Sequence, residues 1–399
     1  MSTIAECAEP VSPAAALPAW ITFLLAASCG LMAANLYYAQ PLVAPIAADL
    51  GLSPQVSGIV VTMTQIGYCL GLLLIVPLGD LVENRRLVLA TLSLSALALL
   101  GAAVSTHPLP FLSAALLIGL GSVGVQILVP YAAHLSPPEM RGRVVGNVAT
   151  GLMLGIMLSR PVSSLIVSFS SWHAVYFISA AAMLALALVL RATLPIRRPE
   201  VRISYGALLL SLVQLVRTTP LLRRRAFYQS CLFGAFNLFW TTTPLLLASP
   251  TYGLNQSGIA LFAFAGVAGA IGAPVAGRLA DRGHTRITTV FAMLLSAGAF
   301  LLTRVAEPGS TTALALLVVA ALALDFGVQA NVVLGTRALF MLGAEARGRL
   351  NGLYIAIFFV AGAAGSAIGA WAYAQGGWPL AAWIGFAAPV AALLYFATE

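Results

Sequence analysis

Four short landmarks occur twice in this sequence, in the same order and about two hundred residues apart. Both copies lie among long apolar segments. A chain that repeats itself in this way folds as two similar units, each with the same order of elements. The duplication therefore predicts two matched bundles. The matched pairs are 35–42 with 237–245, 51–59 with 253–259, Asp80 with Asp281, and 141–143 with 347–349.

Apolar segments long enough to cross a bilayer fill most of the chain. Hydrophobic residues make up 60% of the sequence and charged residues only 8%, which is too few for the surface of a soluble globular domain. A transmembrane helix needs about 20 apolar residues, and continuous apolar runs exclude a barrel. The sequence predicts an all-α membrane protein of 12 transmembrane helices in two pseudo-symmetric six-helix bundles. The spans are 20–44, 55–78, 86–105, 109–134, 143–168, 172–194, 226–249, 257–279, 285–305, 311–341, 348–375 and 378–397.

The basic residues predict which way the chain crosses the membrane. All 20 are arginines, and all except Arg160 and Arg304 lie at or beside one set of alternate loops. Because cytoplasmic loops carry an excess of basic residues, these loops and both termini are predicted to be cytoplasmic. The net charge of +8 is explained by this topology and by contact with anionic lipid, so no nucleic-acid partner is expected.

The longest loop separates the two bundles. Its apolar stretch 205–216 has basic ends and is too short to cross, which favours a helix that lies in the cytoplasmic interface. A thirteenth span is the alternative, but it would place the arginines of the second bundle outside. The predicted units are a cytoplasmic tail 1–19, a bundle 20–194, a linker 195–225 and a bundle 226–399.

The turn after the eighth predicted span carries a signature motif. Residues 277–286 read Gly-Arg-Leu-Ala-Asp-Arg-Gly-His-Thr-Arg, which resembles the loop signature of the major facilitator superfamily. Its counterpart at 76–86 keeps the aspartate and the trailing arginines, and departs from the family pattern at three positions. The turns 139–143 and 345–349 are similar to later loops of the same family. The resemblance covers residues 20–397.

The resemblance implies a function as well as a fold. The overall run, including 35–41, is similar to twelve-span drug and metabolite efflux permeases of the bacterial cytoplasmic (inner) membrane. It implies export of a small organic molecule in exchange for protons, by alternating access of a monomer in the lipid bilayer. Uptake or facilitated diffusion of a metabolite and a transporter-like sensor are the alternatives. No enzymatic activity, cofactor or metal is expected, since the sequence holds no nucleotide-binding loop or metal-type cluster.

The fifth span bears on the direction of transport. Gly146, Gly151, Gly155 and Pro161 resemble the glycine-rich antiporter signature of the family, with Arg160 where a glycine would precede the proline. Antiport is therefore favoured by the resemblance, and the departure at Arg160 places a charge inside the span.

Two charged residues lie deep in predicted spans. Asp325 is twelve residues from Arg337, or about 18 Å of helix, and Arg160 is seventeen residues from Arg143. A charge in hydrocarbon is costly unless it pairs or lines water. We predict that Asp325 binds and releases a proton, because burial favours a neutral carboxyl group. Arg160 is predicted to stabilise that carboxylate or to attract an anionic substrate group. A fixed ion pair across the two halves is the alternative.

Polar and aromatic residues of spans one, two, four, seven and ten are predicted to line a central substrate cavity. A mixed amide and aromatic lining suits an amphipathic small molecule. For Asn35, Asn237 and the aromatic residues that follow them, the alternative is that the repeat preserves helix-packing contacts. The residues are Asn35, Tyr37, Tyr38, Gln40, Gln65, Gln126, Asn237, Trp240, Gln329 and Asn331.

The charged loop motifs are predicted to control the conformational change. A carboxylate at one helix end can face the positive end of another helix, with arginines bridging to it. Contacts made in only one of the outward- and inward-facing states would bias the equilibrium between them. The alternative is that each motif is a solvated charged turn. The residues are Asp80, Arg85, Arg86, Arg141, Arg143, Gly277, Asp281, Arg282, Arg286, Arg347 and Arg349.

Overall fold

Helices form nearly all of the regular structure in the computed structural model, which describes residues 18–197, 199, 204–343 and 347–399. Within these ranges there is no β-strand. The predicted tail 1–19 lies almost wholly outside the described residues. The helices are α1 Ala19–Ala34, α2 Val43–Asp49, α3 Ile59–Leu74, α4 Asn84–Ala103, α5 Pro108–Ser122, α6 Gly124–His134, α7 Arg141–Phe169, α8 Trp172–Thr193, α9 Tyr205–Thr218, α10 Pro220–Ala248, α11 Gln256–Ala268, α12 Gly272–Asp281, α13 Thr285–Leu302, α14 Thr311–Phe340 and α15 Arg347–Phe396.

Ten helical segments of the described chain are long and apolar enough to cross a membrane. The longest, Arg347–Phe396, contains both of the last two predicted spans. It is broken at Gly376 and Gly377, and Gly377 has a φ of 61°, a conformation that only glycine adopts readily. The first predicted span corresponds to a shorter apolar helix, Ala19–Ala34. Each of the twelve predicted segments thus contains helix, which confirms the all-helical membrane fold.

The first predicted span, 20–44, is not one continuous helix. Helix α1 ends at Ala34, and turns followed by the 3₁₀ segment Gln40–Leu42 lead to α2. Pro41 explains this break, because proline donates no backbone hydrogen bond and disfavours helical geometry in the residue before it. The backbone N–H of Gln40 donates instead to the Tyr37 carbonyl at 3.1 Å. The break places Gln40 at the start of the 3₁₀ segment between α1 and α2.

The duplication in the sequence produces matched helix contacts in the two halves, which comprise α1–α8 and α10–α15. In the first half α1 crosses α7, and a Cβ added at Gly155 would lie 2.1 Å from the Gly30 carbonyl oxygen. In the second half α10 crosses α15, and a Cβ added at Gly365 would lie 2.1 Å from the Gly234 carbonyl oxygen. Only glycine permits these backbones to approach so closely.

The two halves meet along α3 and α15, and along α7 and α11. Thr62 Oγ1 donates to the Ala363 carbonyl at 3.0 Å, and the ring of Tyr68 lies 4.7 Å from that of Phe359. Further along the same contact, the Cys69 thiol lies 3.5 Å from the carbonyl oxygen of Ala356. The apolar core of the second half therefore extends into the first half.

The linker contains the helix that the sequence predicts, α9. Its Leu208 and Leu212 are buried, whereas Leu210 and Val213 are exposed, as expected for an amphipathic helix. The Tyr205 hydroxyl donates to the Leu74 carbonyl at 2.8 Å, which ties α9 to the end of α3. Its position in a membrane interface stays a prediction. The next helix begins at Pro220, six residues before the predicted span, because proline suits the first helical turn.

Candidate functional site

Asp325 lies midway along α14 and is only 3% exposed. Its Oδ1 accepts a hydrogen bond from Nε1 of Trp240 at 2.8 Å. Two glycines of the α11 region make room for the side chain. A Cβ added at Gly269 would lie 2.2 Å from the Asp325 Cβ, and one at Gly266 would lie 2.8 Å from its Oδ2. The carboxyl group is thus enclosed by α10, α11 and α14.

Arg160 lies in α7 and is 2% exposed. Its Nε donates to Gln40 Oε1 at 2.6 Å. The guanidinium carbon lies 5.2 Å from the ring centre of Tyr37, 5.0 Å from that of Phe236 and 4.5 Å from that of Trp240. Such cation–π contacts stabilise a desolvated arginine. Its Nη2 is buried and forms no hydrogen bond with the described residues.

The indole of Trp240 joins the two buried charges. Its face contacts the Arg160 guanidinium, and its ring N–H donates to Asp325. Among the described residues, Arg160 and Asp325 form no direct salt bridge. A direct ion pair is therefore not formed in this conformation, in which Trp240 contacts both side chains.

A set of buried amides links this pair of charges to both halves. Gln40 Nε2 donates to Asn237 Oδ1 at 2.9 Å, and Gln65 Nε2 donates to the same oxygen. The Asn237 side-chain nitrogen donates to the Phe233 carbonyl at 2.9 Å. Both glutamines belong to the first half and Asn237 to the second. We call Gln40, Gln65, Arg160, Asn237, Trp240 and Asp325 the central polar network.

The remaining amides predicted to line the cavity lie outside this network. Asn35 accepts from Ser179 at 2.5 Å inside the first half, which favours the packing interpretation of this residue. Gln126 Nε2 donates to the Tyr68 hydroxyl at 3.0 Å. In the second half Asn331 Nδ2 donates to Gln229 Oε1 at 2.7 Å, and Gln329 on the same helix is half-buried.

The space around the central polar network is small. The gap beside Arg160, Trp240 and Phe262 is too narrow to admit a water molecule. A larger cavity, of about 890 Å³, lies between α1 and α7, where Tyr38 and Arg143 line it with mainly apolar neighbours. The predicted lining residues are therefore not grouped around one open cavity here. Their contact with substrate stays a prediction for a conformation in which the halves are apart.

The loop motif of the second half makes its contacts inside that half. Arg337 Nη1 lies 2.5 Å from Asp281 Oδ1 and donates to the Gly277 carbonyl at 3.0 Å, so it joins α12 to α14. In the first half, Asp80 is exposed and Arg86 pairs with the nearby Glu83 at 3.0 Å. These contacts do not by themselves connect the two halves.

The repeated Arg-Gly-Arg turns have equivalent roles. Arg141 Nε donates to the Ala133 carbonyl at 2.9 Å, and Arg347 Nε donates to the Phe340 carbonyl at 3.1 Å. Each arginine satisfies a carbonyl that the end of the preceding helix leaves free. The second arginines differ, since Arg349 donates to Ser211 of the linker helix at 3.0 Å whereas Arg143 lines the α1–α7 cavity.

The other arginines of the loop motifs make local contacts. Arg85 donates to the Arg191 carbonyl, and Arg286 lies 5.6 Å from the ring centre of Phe396. Arg282 is exposed. Contacts of this kind fit a role in helix-end stabilisation as well as one in conformational control.

Phe236 and Arg337 are among the residues that sequence reasoning missed and that contact predicted site residues. Phe236 forms one wall around Arg160, and its spacing of four residues from Trp240 placed both on one helical face. Arg337 is the partner of Asp281. The sequence signal for it was a basic residue in the last turn of an apolar helix, where a positive charge is favourable.

Comparison with known proteins agrees with this architecture. The sequence profile of the Major Facilitator Superfamily matches residues 22–340. The chain belongs to the major facilitator superfamily. The uncharacterised transporter YgaY of Escherichia coli O157:H7 is 38% identical over 89% of either chain, which places this superfamily member among transporters.

Two more distant relatives carry functional names. A chloramphenicol resistance protein of Streptomyces lividans is 25% identical, with 82% of this chain and 85% of that protein covered. The 4-hydroxybenzoate transporter PcaK of Pseudomonas aeruginosa is 26% identical, with 47% of this chain and 42% of that protein covered. The names of these relatives do not agree on one substrate.

A solved structure shares the fold of this superfamily member. The nucleoside transporter NupG, in a D323A mutant, superposes with a TM-score of 0.76 at 16% identity, covering 94% of this chain and 100% of that one. The likeness confirms the arrangement of helices, and at this identity it carries no information on substrate.

Proposed function

We propose that this chain is a proton-coupled secondary transporter that exports a small organic molecule by antiport with protons, through alternating access. The observation that carries the proposal is Asp325, a carboxyl group buried at the middle of a membrane-crossing helix and held by Trp240. Ionisable groups at such depth are retained where they bind ions or substrate. Asp325 is the proposed proton carrier, and Arg160, which lies over the face of the same indole, offsets its charge.

The central polar network supports alternating access. Opening the halves at this level separates Asn237 from Gln40 and Gln65, since the amides lie on opposite sides of the contact. Each hydrogen bond contributes about 0.5–1.5 kcal/mol net, so a difference in protonation or ligand binding is large enough to shift the equilibrium. We propose the cytoplasmic membrane of a bacterium as the location, with both termini cytoplasmic, on the basis of the arginine-rich loops.

Export is favoured by the glycine-rich fifth span and is consistent with the resistance function named for one relative. Uptake of an anionic metabolite with a proton is the second candidate. The observation that favours it is the buried Nη2 of Arg160, which has no hydrogen-bond partner among the described residues. The two candidates predict proton movement of opposite sign relative to substrate.

The test uses purified protein in liposomes that contain a pH-sensitive dye. A panel of drugs and metabolites is added outside, and substrate-dependent pH change inside is recorded for the wild type, Asp325→Asn and the control Glu307→Gln, which alters an exposed carboxylate. Antiport predicts that inward substrate movement makes the lumen more alkaline, and that Asp325→Asn alone loses the signal. A lumen that becomes acidic identifies uptake by symport. An unchanged signal in Asp325→Asn contradicts the role of Asp325.

A further inference from the structure

The Arg160 side chain has an unused capacity for hydrogen bonds. A guanidinium group offers five donors in a planar fork that matches a carboxylate. Here Nε is occupied by Gln40, while Nη2 is buried without a partner among the described residues. The three surrounding rings supply electrostatic attraction, and none of them accepts a hydrogen bond from Nη2. A buried charged donor without an acceptor is unfavourable, so the site is suited to a ligand that brings one.

Asp325 provides the opposite charge within reach of the same indole. Arg160 contacts the face of the Trp240 ring at 4.5 Å from its centre, and Asp325 accepts from the ring nitrogen at 2.8 Å. A small molecule that lies across the ring can therefore address both side chains. Apolar walls are available from Tyr37 and Phe236, which already flank Arg160.

Charge balance decides which substrate can be exchanged for a proton at this pair. An anion would neutralise Arg160 and leave Asp325 in its protonated form, so anion and proton would bind together. A cation would displace the proton from Asp325 but, like the proton itself, would leave the buried Nη2 of Arg160 without an acceptor. A zwitterion supplies both partners at once, and its cationic end takes the place of the proton.

We propose that the substrate is zwitterionic, with a carboxylate that binds Arg160 and a protonated amine that binds Asp325 across Trp240. The inference rests on the proposed proton antiport and adds the chemical class of the substrate. Binding requires the halves to part at Asn237, because the gap beside Arg160 is too narrow for a water molecule in this conformation. Gln40 keeps its bond with Arg160 Nε while the carboxylate takes Nη2.

The test compares ligands that share one body and differ in charge. The probes are 4-(aminomethyl)benzoate, 4-methylbenzoate and 4-methylbenzylamine, with phenylalanine as a zwitterion whose charges are closer together. Binding to the purified protein is measured by calorimetry, and proton movement is measured in the dye-loaded liposomes. We expect at least one zwitterion to bind more tightly than both singly charged compounds and to move against protons.

Two variants test which end of the ligand Arg160 and Asp325 each bind. Arg160→Gln is expected to weaken zwitterion binding about tenfold or more, the loss typical of one charged hydrogen bond, and not to weaken amine binding. Asp325→Asn is expected to abolish proton movement and to remove the advantage of the zwitterion over the acid. The control is Arg304→Gln, which alters an exposed arginine and should change neither readout.

The outcomes separate the two proposals. Zwitterion binding that depends on Arg160 but moves no protons supports the substrate class and contradicts proton antiport. Tightest binding by the acid or by the amine, wild-type zwitterion binding in Arg160→Gln, or no binding by either zwitterion overturns the substrate class. In those cases proton movement evoked by another compound of the drug and metabolite panel still supports the antiport proposal.

Discussion

Asn237 is predicted to hold the two halves together at the level of the central polar network. Its side-chain oxygen accepts hydrogen bonds from Gln40 and Gln65 of the other half. Asn237→Leu removes both bonds, each of which contributes about 0.5–1.5 kcal/mol net. The contact between the halves should therefore weaken by about 1–3 kcal/mol, which shifts the ratio of open to closed molecules by about 5- to 150-fold.

Two native cysteines report this shift within one molecule. Cys69 is buried in the contact between the halves, with its thiol 3.5 Å from the Ala356 carbonyl oxygen. Cys29 is buried inside the first half. We expect Asn237→Leu to raise the rate of Cys69 alkylation by N-ethylmaleimide, measured by mass spectrometry, and to leave Cys29 unchanged.

The control for the Asn237 experiment is a second buried amide. Asn331→Leu breaks the bond with Gln229 inside the second half and should not alter Cys69 alkylation. Equal rates in the wild type and Asn237→Leu would refute the argument that Asn237 fastens the halves. Equal acceleration of Cys29 would show general unfolding instead of opening.

Three further predictions concern helix contacts and the loop motifs. Gly155→Ala should lower the free energy of unfolding in detergent by about 1–3 kcal/mol, because the added Cβ would lie 2.1 Å from the Gly30 carbonyl oxygen. The control Gly146→Ala in the same helix has open space for its Cβ and should leave the stability unchanged. Equal melting temperatures of the two variants would contradict close packing at Gly155. Asp281→Ala should change stability by less than about 1 kcal/mol, since Asp281 and Arg337 are 65% and 45% exposed. It should leave Cys69 alkylation unchanged because both residues belong to one half, and a severalfold change would support control of the conformational change by this loop. Arg141→Gln and Arg347→Gln each remove one helix-end hydrogen bond and should lower the melting temperature equally, so a loss in only one variant contradicts their equivalence.

The sequence predicted the features that the bilayer dictates. Continuous apolar runs located the spans because a helix in lipid must satisfy its own backbone hydrogen bonds. The depth of Arg160 and Asp325 could be counted along the helix for the same reason. Both residues are buried at the centre of the fold, as their positions along the spans indicated.

The contacts around these residues could not be predicted from the sequence. Helices that are apolar on every face give little indication of how each is rotated about its axis, so the position of Trp240 between Arg160 and Asp325 was not foreseeable. The break before Pro41 separated Asn35, which packs inside the first half, from Gln40, which reaches the second. Residues five apart in one predicted span therefore have unrelated environments.

The most direct test of the central claim is a comparison of net flux with exchange for Asp325→Asn in liposomes. The substrate found in the wild-type screen is followed first under a proton gradient and then in counterflow, with substrate on both sides and no gradient. If Asp325 carries the proton, the variant loses gradient-driven accumulation and keeps counterflow exchange when substrate is saturating on both sides, because the neutral amide permits the conformational change without proton release. Accumulation at the wild-type level in the variant would contradict the account.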